Sequence, residues 1–154
     1  MLKRGGTVRL QIHSNFDMVD FVQVVSDHVG QTLGLDDDTQ HYVGVAIREC
    51  VINAIKHGNQ HDSSKSVFVE FATATDSVPE MIIRVRDQGQ GFDPESVADP
   101  LAPENLLKGS GRGIFLIRNF MDEVDLHRAP QGGMEVRMVK RGHAVGASDT
   151  SVGA

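Results

Sequence analysis

The chain has 154 residues, a hydrophobic fraction of 40% and a formal net charge of −6, values that are ordinary for a globular domain. The acidic balance disfavours broad nucleic-acid binding, because that function normally requires a basic surface. No apolar run approaches the roughly 20 residues that cross a bilayer, and the N-terminus lacks the apolar stretch of a signal peptide.

One cysteine, Cys50, cannot form an internal disulfide. Together with the composition, it predicts a cytoplasmic location. We expect a single domain over residues 1–141, followed by a small, polar tail over residues 142–154 that is disordered.

The first half of the chain predicts one strand and two helices. Residues 7–13 alternate and predict a strand with Val8, Leu10 and Ile12 on one face. Ser14 or Asn15 is predicted to cap a helix with the apolar stripe Val22, Val25, Val29 and Leu33. After a break over residues 34–38, a second helix is predicted over about residues 38–57. Its apolar stripe is Val43, Ile47, Cys50, Val51 and Ala54, and Gly58 is predicted to end it.

The second half is richer in strands. Residues 66–74 and 80–86 predict a hairpin, and residues 123–128 and 133–140 predict two further strands around Gln131-Gly132-Gly133. Residues 112–121 predict a helix with Ile114, Ile117, Phe120 and Met121 buried. The helices are predicted early in the chain and the antiparallel strands late. This order indicates an α+β two-layer sandwich and not alternating βαβ units.

The second helix carries the first candidate site. Glu49 and Asn53 are four residues apart, so they lie one turn apart on one face of a helix. Their oxygens suit Mg²⁺, a hard cation that prefers oxygen ligands, together with phosphate oxygens. An ordinary solvated polar face has the same spacing, so the pair alone leaves both interpretations open.

The run Asp87-Gln88-Gly89-Gln90-Gly91-Phe92 directly follows the strand over residues 80–86. A carboxylate at a strand end can accept a hydrogen bond from an exocyclic amine such as that of adenine. Glycines let a flat ring approach the backbone closely. A simple Asp/Gly turn leaving a strand is the alternative interpretation.

A third run, Gly109-Ser110-Gly111-Arg112-Gly113, leads into the helix predicted at Ile114. Free N–H groups in such a loop and the positive end of a helix favour phosphate. The run is not a P-loop, because no Lys-Ser/Thr pair follows it and no strand precedes it. The hinge of a flexible lid explains it equally well when it is taken alone.

The three runs, in this order, resemble the motifs of the GHKL ATPases, which include DNA gyrase, MutL and sensor histidine kinases. Residues 49–58 resemble the N-box, residues 87–92 the D-x-G-x-G-F box, and residues 109–113 the second glycine box. The ending Asn-Ala-x-x-His-Gly and the run GRGIFLIRNFMDEV narrow the match. They resemble the bacterial anti-sigma regulatory factor and serine-protein kinase family, over about residues 7–140.

This resemblance implies the fold and the roles of matching residues. The fold would be a two-layer α/β sandwich of the GHKL (Bergerat) ATP-binding type, with a mixed, mostly antiparallel sheet and helices on one face. Asn53 would coordinate Mg²⁺, Asp87 would recognise the adenine of ATP, and Glu49 would be the general base. The other binding residues would be Gly89 and Gly91 at the base, and Gly109, Ser110, Gly111, Arg112 and Gly113 at the phosphates or the lid.

One position departs from the family pattern. Relatives often carry a threonine where this chain has Met134, after the turn at Gly132-Gly133. If that hydroxyl normally helps to hold the phosphates, nucleotide affinity would be lower here. Glu49 and Asn53 are intact, so we expect a working site.

The resemblance implies an ATP-binding anti-sigma factor and protein serine/threonine kinase in a partner-switching system of transcription regulation. Such a protein holds a sigma factor inactive and phosphorylates an anti-anti-sigma antagonist. It contacts neither nucleic acid nor membrane, and it often acts as a homodimer. Residues 15–33 are a candidate partner surface.

Two alternatives stay open. One is an ATP-dependent module that sequesters a protein without kinase activity, against which the intact Glu49 argues. The other is a detached sensor-kinase ATPase domain that phosphorylates histidine. We expect it less, because the sequence contains no separate helical segment bearing a phosphoacceptor histidine.

Overall fold

The structure is a computed structural model that describes residues 3–75, 78–90 and 117–142. Several predicted features therefore lie outside the described residues. They are part of the turn between the second and third strands, Gly91, the segment over residues 92–108 that the resemblance implies is the lid, the glycine loop over residues 109–113, the helix start at residues 112–116 and the tail beyond Gly142.

The described part consists of a five-stranded sheet and two α-helices. The strands are β1 (Lys3–His13), β2 (Ser66–Thr75), β3 (Pro79–Arg86), β4 (Glu123–Arg128) and β5 (Met134–Arg141). The helices are α1 (Val19–Thr32), preceded by a 3-10 turn at Phe16–Met18, and α2 (Asp37–Asn53), which continues as a π-helical turn over Ala54–Gly58. Residues 117–120 are also helical.

The strands lie in the order β1-β2-β3-β5-β4, and each described pairing is antiparallel. The α+β sandwich is confirmed, but the expectation of a mixed sheet is wrong for the described strands. The physical reason is the path of the chain. Because α1 and α2 form a helical hairpin, they return the chain to the end of β1 that it left, where His13 pairs with Ser66.

Polar side chains set where both helices begin. Asn15 caps the 3-10 turn by accepting a hydrogen bond from the Asp17 N–H at 3.1 Å, so α1 begins only at Val19. Ser14, the other predicted cap, is buried and donates to the Lys65 carbonyl at 2.8 Å instead. Asp36 caps α2 by accepting from the Thr39 N–H at 2.7 Å.

The core lies between the helices and one face of the sheet. The predicted stripes of both helices are buried there, with Val25 partly buried. Alternate residues of the central strands face them: Val67, Val69, Phe71, Met81, Ile83 and Val85. Val8, predicted in the core-facing row of β1, is 40% exposed, because β1 is an edge strand.

The opposite face of the sheet carries charged side chains instead of a second helical layer. Glu70 on β2 pairs with Arg9 on β1 at 2.9 Å and with Arg84 on β3 at 3.4 Å. Arg86 lies over the ring of Phe68, 4.1 Å from its centroid. In the described residues, this charged face limits the fold to two layers.

The remaining sequence predictions agree closely with the structure where it describes them. The β2–β3 hairpin forms with Thr75 opposite Pro79, and Gly132 and Gly133 turn the chain into β5 with φ of +99° and +81°. Ile117 and Met121 are buried, while Phe120 stacks on Tyr42 of α2 with centroids 4.6 Å apart.

Neither of the described α-helices combines the length and the apolar character that a membrane span requires.

Candidate functional site

The centre of the site is the carboxylate of Asp87, at the end of β3. Asp87 is 6% exposed, and its Oδ1 accepts hydrogen bonds from the backbone N–H groups of Gly89 at 2.9 Å and Met134 at 3.2 Å. Its own N–H donates to the Met134 carbonyl at 3.0 Å. These bonds fix the side chain, whereas Oδ2 takes no hydrogen bond from a described residue.

Three glycines surround Asp87, and none of the three positions has room for a side chain. A Cβ on Gly58 would lie 2.8 Å from the Asp87 Cβ, and a Cβ on Gly89 would lie 2.8 Å from the Gly58 carbonyl carbon. A Cβ on Gly133 would lie 2.8 Å from Asp87 Oδ1. Real Cβ atoms essentially never come within 3.0 Å of such atoms, so each glycine is required by space.

Gly58 also has a role that was not predicted. It is the last residue of the helical run, as expected, but it belongs to the π-helical turn and is not among the glycines with positive φ. The left-handed residues after the turn are Gln60 and His61, with φ of 53° and 59°. Gly58 is needed because the turn passes directly over the Asp87 side chain.

Helix α2 brings Glu49 and Asn53 to the same region. Both residues are half-buried, in the last two turns of the helix, and Asn53 is its final residue. Among the described residues, neither the Glu49 carboxylate nor the Asn53 amide has a hydrogen-bond partner. Two half-buried groups with oxygen acceptors thus lie one turn apart, and the described part of the chain does not bind either of them.

Of the predicted site residues, the structure describes Glu49, Asn53, Asp87 and Gly89. It brings Gly89 onto Asp87, and it connects Asp87 to α2 through Gly58. The remaining predicted residues are outside the described part: Gly91, Gly109, Ser110, Gly111, Arg112 and Gly113. The described residues also contain no cluster of histidine, cysteine and carboxylate side chains that could hold a metal ion.

The role of Asn59, which is 1% exposed, was not predicted from the sequence. Its amide donates to Ser14 Oγ at 2.7 Å and to the Ser66 carbonyl at 2.9 Å, and its oxygen accepts from the Gln88 N–H at 2.7 Å. Asn59 therefore ties the π-helical turn to the ends of β1, β2 and β3, next to Asp87. An asparagine after a glycine normally indicates an exposed turn, so only the structure shows its function.

Cys50 lies beneath the site on the buried side of α2 and is 2% exposed. Burial, with a smaller contribution from the negative charge of Asp87, raises the pKa of the Cys50 thiol from its ordinary 9.0 to about 12. The thiol is therefore neutral and unreactive in the folded protein at physiological pH.

This pKa shift predicts a specific dependence of stability on pH. The unfolded chain loses the Cys50 proton at a lower pH than the folded chain, so rising pH favours unfolding between about pH 9 and pH 12. Below pH 9 the contribution of the neutral thiol is fully present. Denaturant unfolding at several pH values should show that the free energy of unfolding falls more steeply with pH in wild type than in Cys50→Ala. Equal slopes in the two proteins would contradict the pKa shift of Cys50.

Comparison with known proteins agrees with this geometry. The Histidine kinase-like ATPase domain profile matches residues 15–140. The chain is 26% identical over 147 residues to the serine-protein kinase RsbW of Staphylococcus aureus, an alignment covering 91% of this chain and 89% of that protein. It is 35% identical over 103 residues to the anti-sigma F factor of Oceanobacillus iheyensis, covering 64% of this chain and 67% of that protein.

A solved structure supports the fold. The histidine kinase domain of a blue-light activated histidine kinase from Erythrobacter litoralis matches 80% of this chain, with a TM-score of 0.51 and 18% sequence identity. The present chain spans 60% of the length of that one. Because the family profile covers most of the sequence, including α2 and the Asp87 turn, the chain belongs to the Histidine kinase-like ATPase domain family.

Proposed function

We propose that this protein is an ATP-binding anti-sigma factor and protein serine/threonine kinase that phosphorylates an anti-anti-sigma antagonist. The observation that carries the proposal is the Asp87 carboxylate, fixed among glycines at the end of the helix that bears Glu49 and Asn53. The similarity to a serine-protein kinase and to an anti-sigma factor supports the partner class.

Asp87 supports recognition of adenine. Its Oδ1 is already held by two backbone N–H groups, so Oδ2 is left to accept a bond from the exocyclic amine of the base. Gly58 and Gly89 carry no side chain, which lets the π-helical turn pack directly against Asp87 and holds the carboxylate in place for the base. The backbone N–H of Met134 binds Asp87. In this proposal, methionine in place of threonine at this position therefore affects binding of the base and not binding of the phosphates.

The chemistry of Asn53 and Glu49 supports a role for both residues at the phosphate end of the nucleotide, where the phosphoryl group is transferred. The Asn53 amide oxygen suits Mg²⁺, which would neutralise part of the phosphate charge. Glu49, one turn earlier, would accept the proton of a serine or threonine hydroxyl as that oxygen takes the γ-phosphoryl group and ADP leaves. In this proposal Gly91 shapes the base pocket, and the loop Gly109, Ser110, Gly111, Arg112 and Gly113 holds the phosphates.

Phosphoryl transfer would provide the switch. A phosphoserine or phosphothreonine carries about two negative charges at neutral pH and weakens docking where it meets like charge or an apolar interface. The modified antagonist would dissociate, and the protein would be free to hold its sigma factor. The single domain over residues 1–141 and the homodimer stay proposals of the same kind, as does the sequestering module without kinase activity.

The nucleotide site can be tested by calorimetry with Mg²⁺ and ATP. Asp87→Asn should keep an oxygen for the Gly89 and Met134 N–H groups but present the NH2 group of its amide, a hydrogen-bond donor, to the base. ATP affinity should fall by about 5–150-fold, since an unpaired buried donor costs about 1–3 kcal/mol. The affinity of Asp87→Asn for GTP, whose base has an acceptor at that position, should fall less. Asn53→Ala should lower the affinities for ATP and GTP alike. Unchanged ATP binding in Asp87→Asn would refute the base assignment.

The close approach at Gly58 gives a second prediction. Gly58→Ala must displace the Asp87 carboxylate, so ATP binding should be lost or weakened by more than about tenfold, a change of 1.4 kcal/mol. Gly6→Ala is the matched control, because a Cβ there meets nothing within 4 Å. ATP affinity and thermal unfolding should be measured for both. Wild-type affinity in Gly58→Ala would contradict the proposed position of the base.

Glu49 separates the kinase from the sequestering module. Glu49→Gln preserves the size of the side chain but cannot take a proton, so phosphate transfer should fall by about 10²–10⁴-fold while ATP binding is retained. Transfer is measured from γ-labelled ATP to the purified anti-anti-sigma protein. If wild type binds the partner in an ATP-dependent manner but transfers nothing, the sequestering module is the correct function.

A further inference from the structure

A surface groove lies between the start of α1 and the C-terminal half of α2. It has a volume of about 390 Å³ and is lined by Phe16, Val19, Arg48, Ile52, Lys56 and His61. We call it the docking groove. The volume is of the size that accepts one or two side chains of a binding partner.

The docking groove runs beside the catalytic face of α2. Arg48 and Ile52 each come one residue before Glu49 and Asn53, so the two pairs form neighbouring stripes about 100° apart around the helix. A segment seated in the groove would therefore lie next to the proposed general base. This position separates the groove from the base pocket at Asp87.

The groove has an apolar floor with an aromatic side chain at its mouth. Val19 is buried and Ile52 is partly buried, whereas Phe16 is 50% exposed and contacts the His61 ring edge-on, with centroids 5.3 Å apart. Phe21 and Val24 on α1 are also exposed, at 50% and 63%, but they are not part of the groove lining. Exposed apolar surface of this kind, rimmed by charge, is typical of protein-binding sites.

The charge of the rim indicates the partner. Among the described residues that line the groove there is no carboxylate, and Lys56 is exposed with no ion pair to a described residue. Arg48 pairs with Asp20 at 2.5 Å, but the Asp20 side chain is 84% exposed. Exposed pairs of this type contribute little, so an incoming carboxylate can replace Asp20. On a chain with a net charge of −6, the groove is thus a local site for an acidic segment.

We propose that the docking groove binds an acidic segment of the protein substrate, with an apolar side chain in the cavity and carboxylates at Lys56 and Arg48. The identity of this occupant as the substrate rests on the proposed function. Docking would hold the substrate beside Glu49 through contacts that are independent of the nucleotide. The groove would thereby select acidic partners before any phosphate is transferred.

A peptide probe tests the site without nucleotide. The probe has a central leucine flanked on both sides by aspartate and glutamate, and a matched peptide carries asparagine and glutamine instead. The acidic peptide should shift the backbone amide NMR signals of Phe16, Ile52 and Lys56, and the neutral peptide should shift them far less. Equal shifts with both peptides, shifts located elsewhere, or no shifts at millimolar peptide would overturn the proposal.

Two variants and their controls sharpen the test. Lys56→Glu and Phe16→Ala change exposed side chains of the groove and should each weaken peptide binding by about tenfold. Arg9→Glu on edge strand β1 and Val24→Ala on α1 make matched changes outside the groove lining and should bind the peptide as wild type does. Equal weakening in the controls would overturn the site.

Calorimetry with Mg²⁺ and ATP on the same samples distinguishes the two proposals. Normal ATP binding with loss of the peptide in Lys56→Glu supports the docking groove. Peptide binding by a wild type that binds no ATP would overturn the proposed function and leave the docking site standing. Concentration-dependent shifts at the groove without peptide, together with a dimer in sedimentation, would show that a second copy of the chain occupies it and would overturn the acidic segment.

Discussion

The contact between the π-helical turn and the end of β3 is the constraint on which the candidate site depends. The backbone at Gly58 passes so close to Asp87 that no side chain fits between them. Asn59, the next residue, holds this approach by binding Ser14, Ser66 and Gln88. The π-helical turn shifts the chain at the end of α2, with the Asn59 N–H donating to the Ala54 carbonyl at 2.8 Å. The end of α2 and the end of β3 thus meet at this junction, which is the proposed base pocket.

The same junction explains why the buried and the polar faces of α2 carry different kinds of residue. Cys50, which faces the core, is kept neutral because it lies in an apolar environment near the negative charge of Asp87. A negatively charged residue at position 50 would be disfavoured both by burial and by repulsion from the Asp87 carboxylate. Glu49 and Asn53, on the neighbouring face, are half-buried, and their polar groups have no hydrogen-bond partner within the described residues. One helix thereby combines a dry inner surface with a polar outer one.

Much of the fold could be predicted from periodicity, because each helix buries one regular stripe and the central strands alternate. The stripes from Val22 to Leu33 and from Val43 to Ala54 lie in the core as expected. The roles of Gly58 and Asn59 could not be predicted, since they depend on contacts with Asp87 and Gln88, far away in the sequence. The local pattern indicated only that Gly58 ends the second helix. The close approach of two backbones has no periodic signal in a sequence.

A docking groove on α2 would give the fold a simple way to combine nucleotide and partner specificity. In the two proposals, the stripe with Glu49 and Asn53 would bind the phosphates, and the stripe with Arg48 and Ile52 would bind the protein segment. Since the two stripes share one rigid helix, their relative positions are set by helical geometry and not by a flexible loop. Phosphate added to a segment already rich in carboxylates would raise its negative charge beside Glu49. Repulsion from that carboxylate would then favour release of the product, while Lys56 and Arg48 would attract the carboxylates of the segment before the transfer.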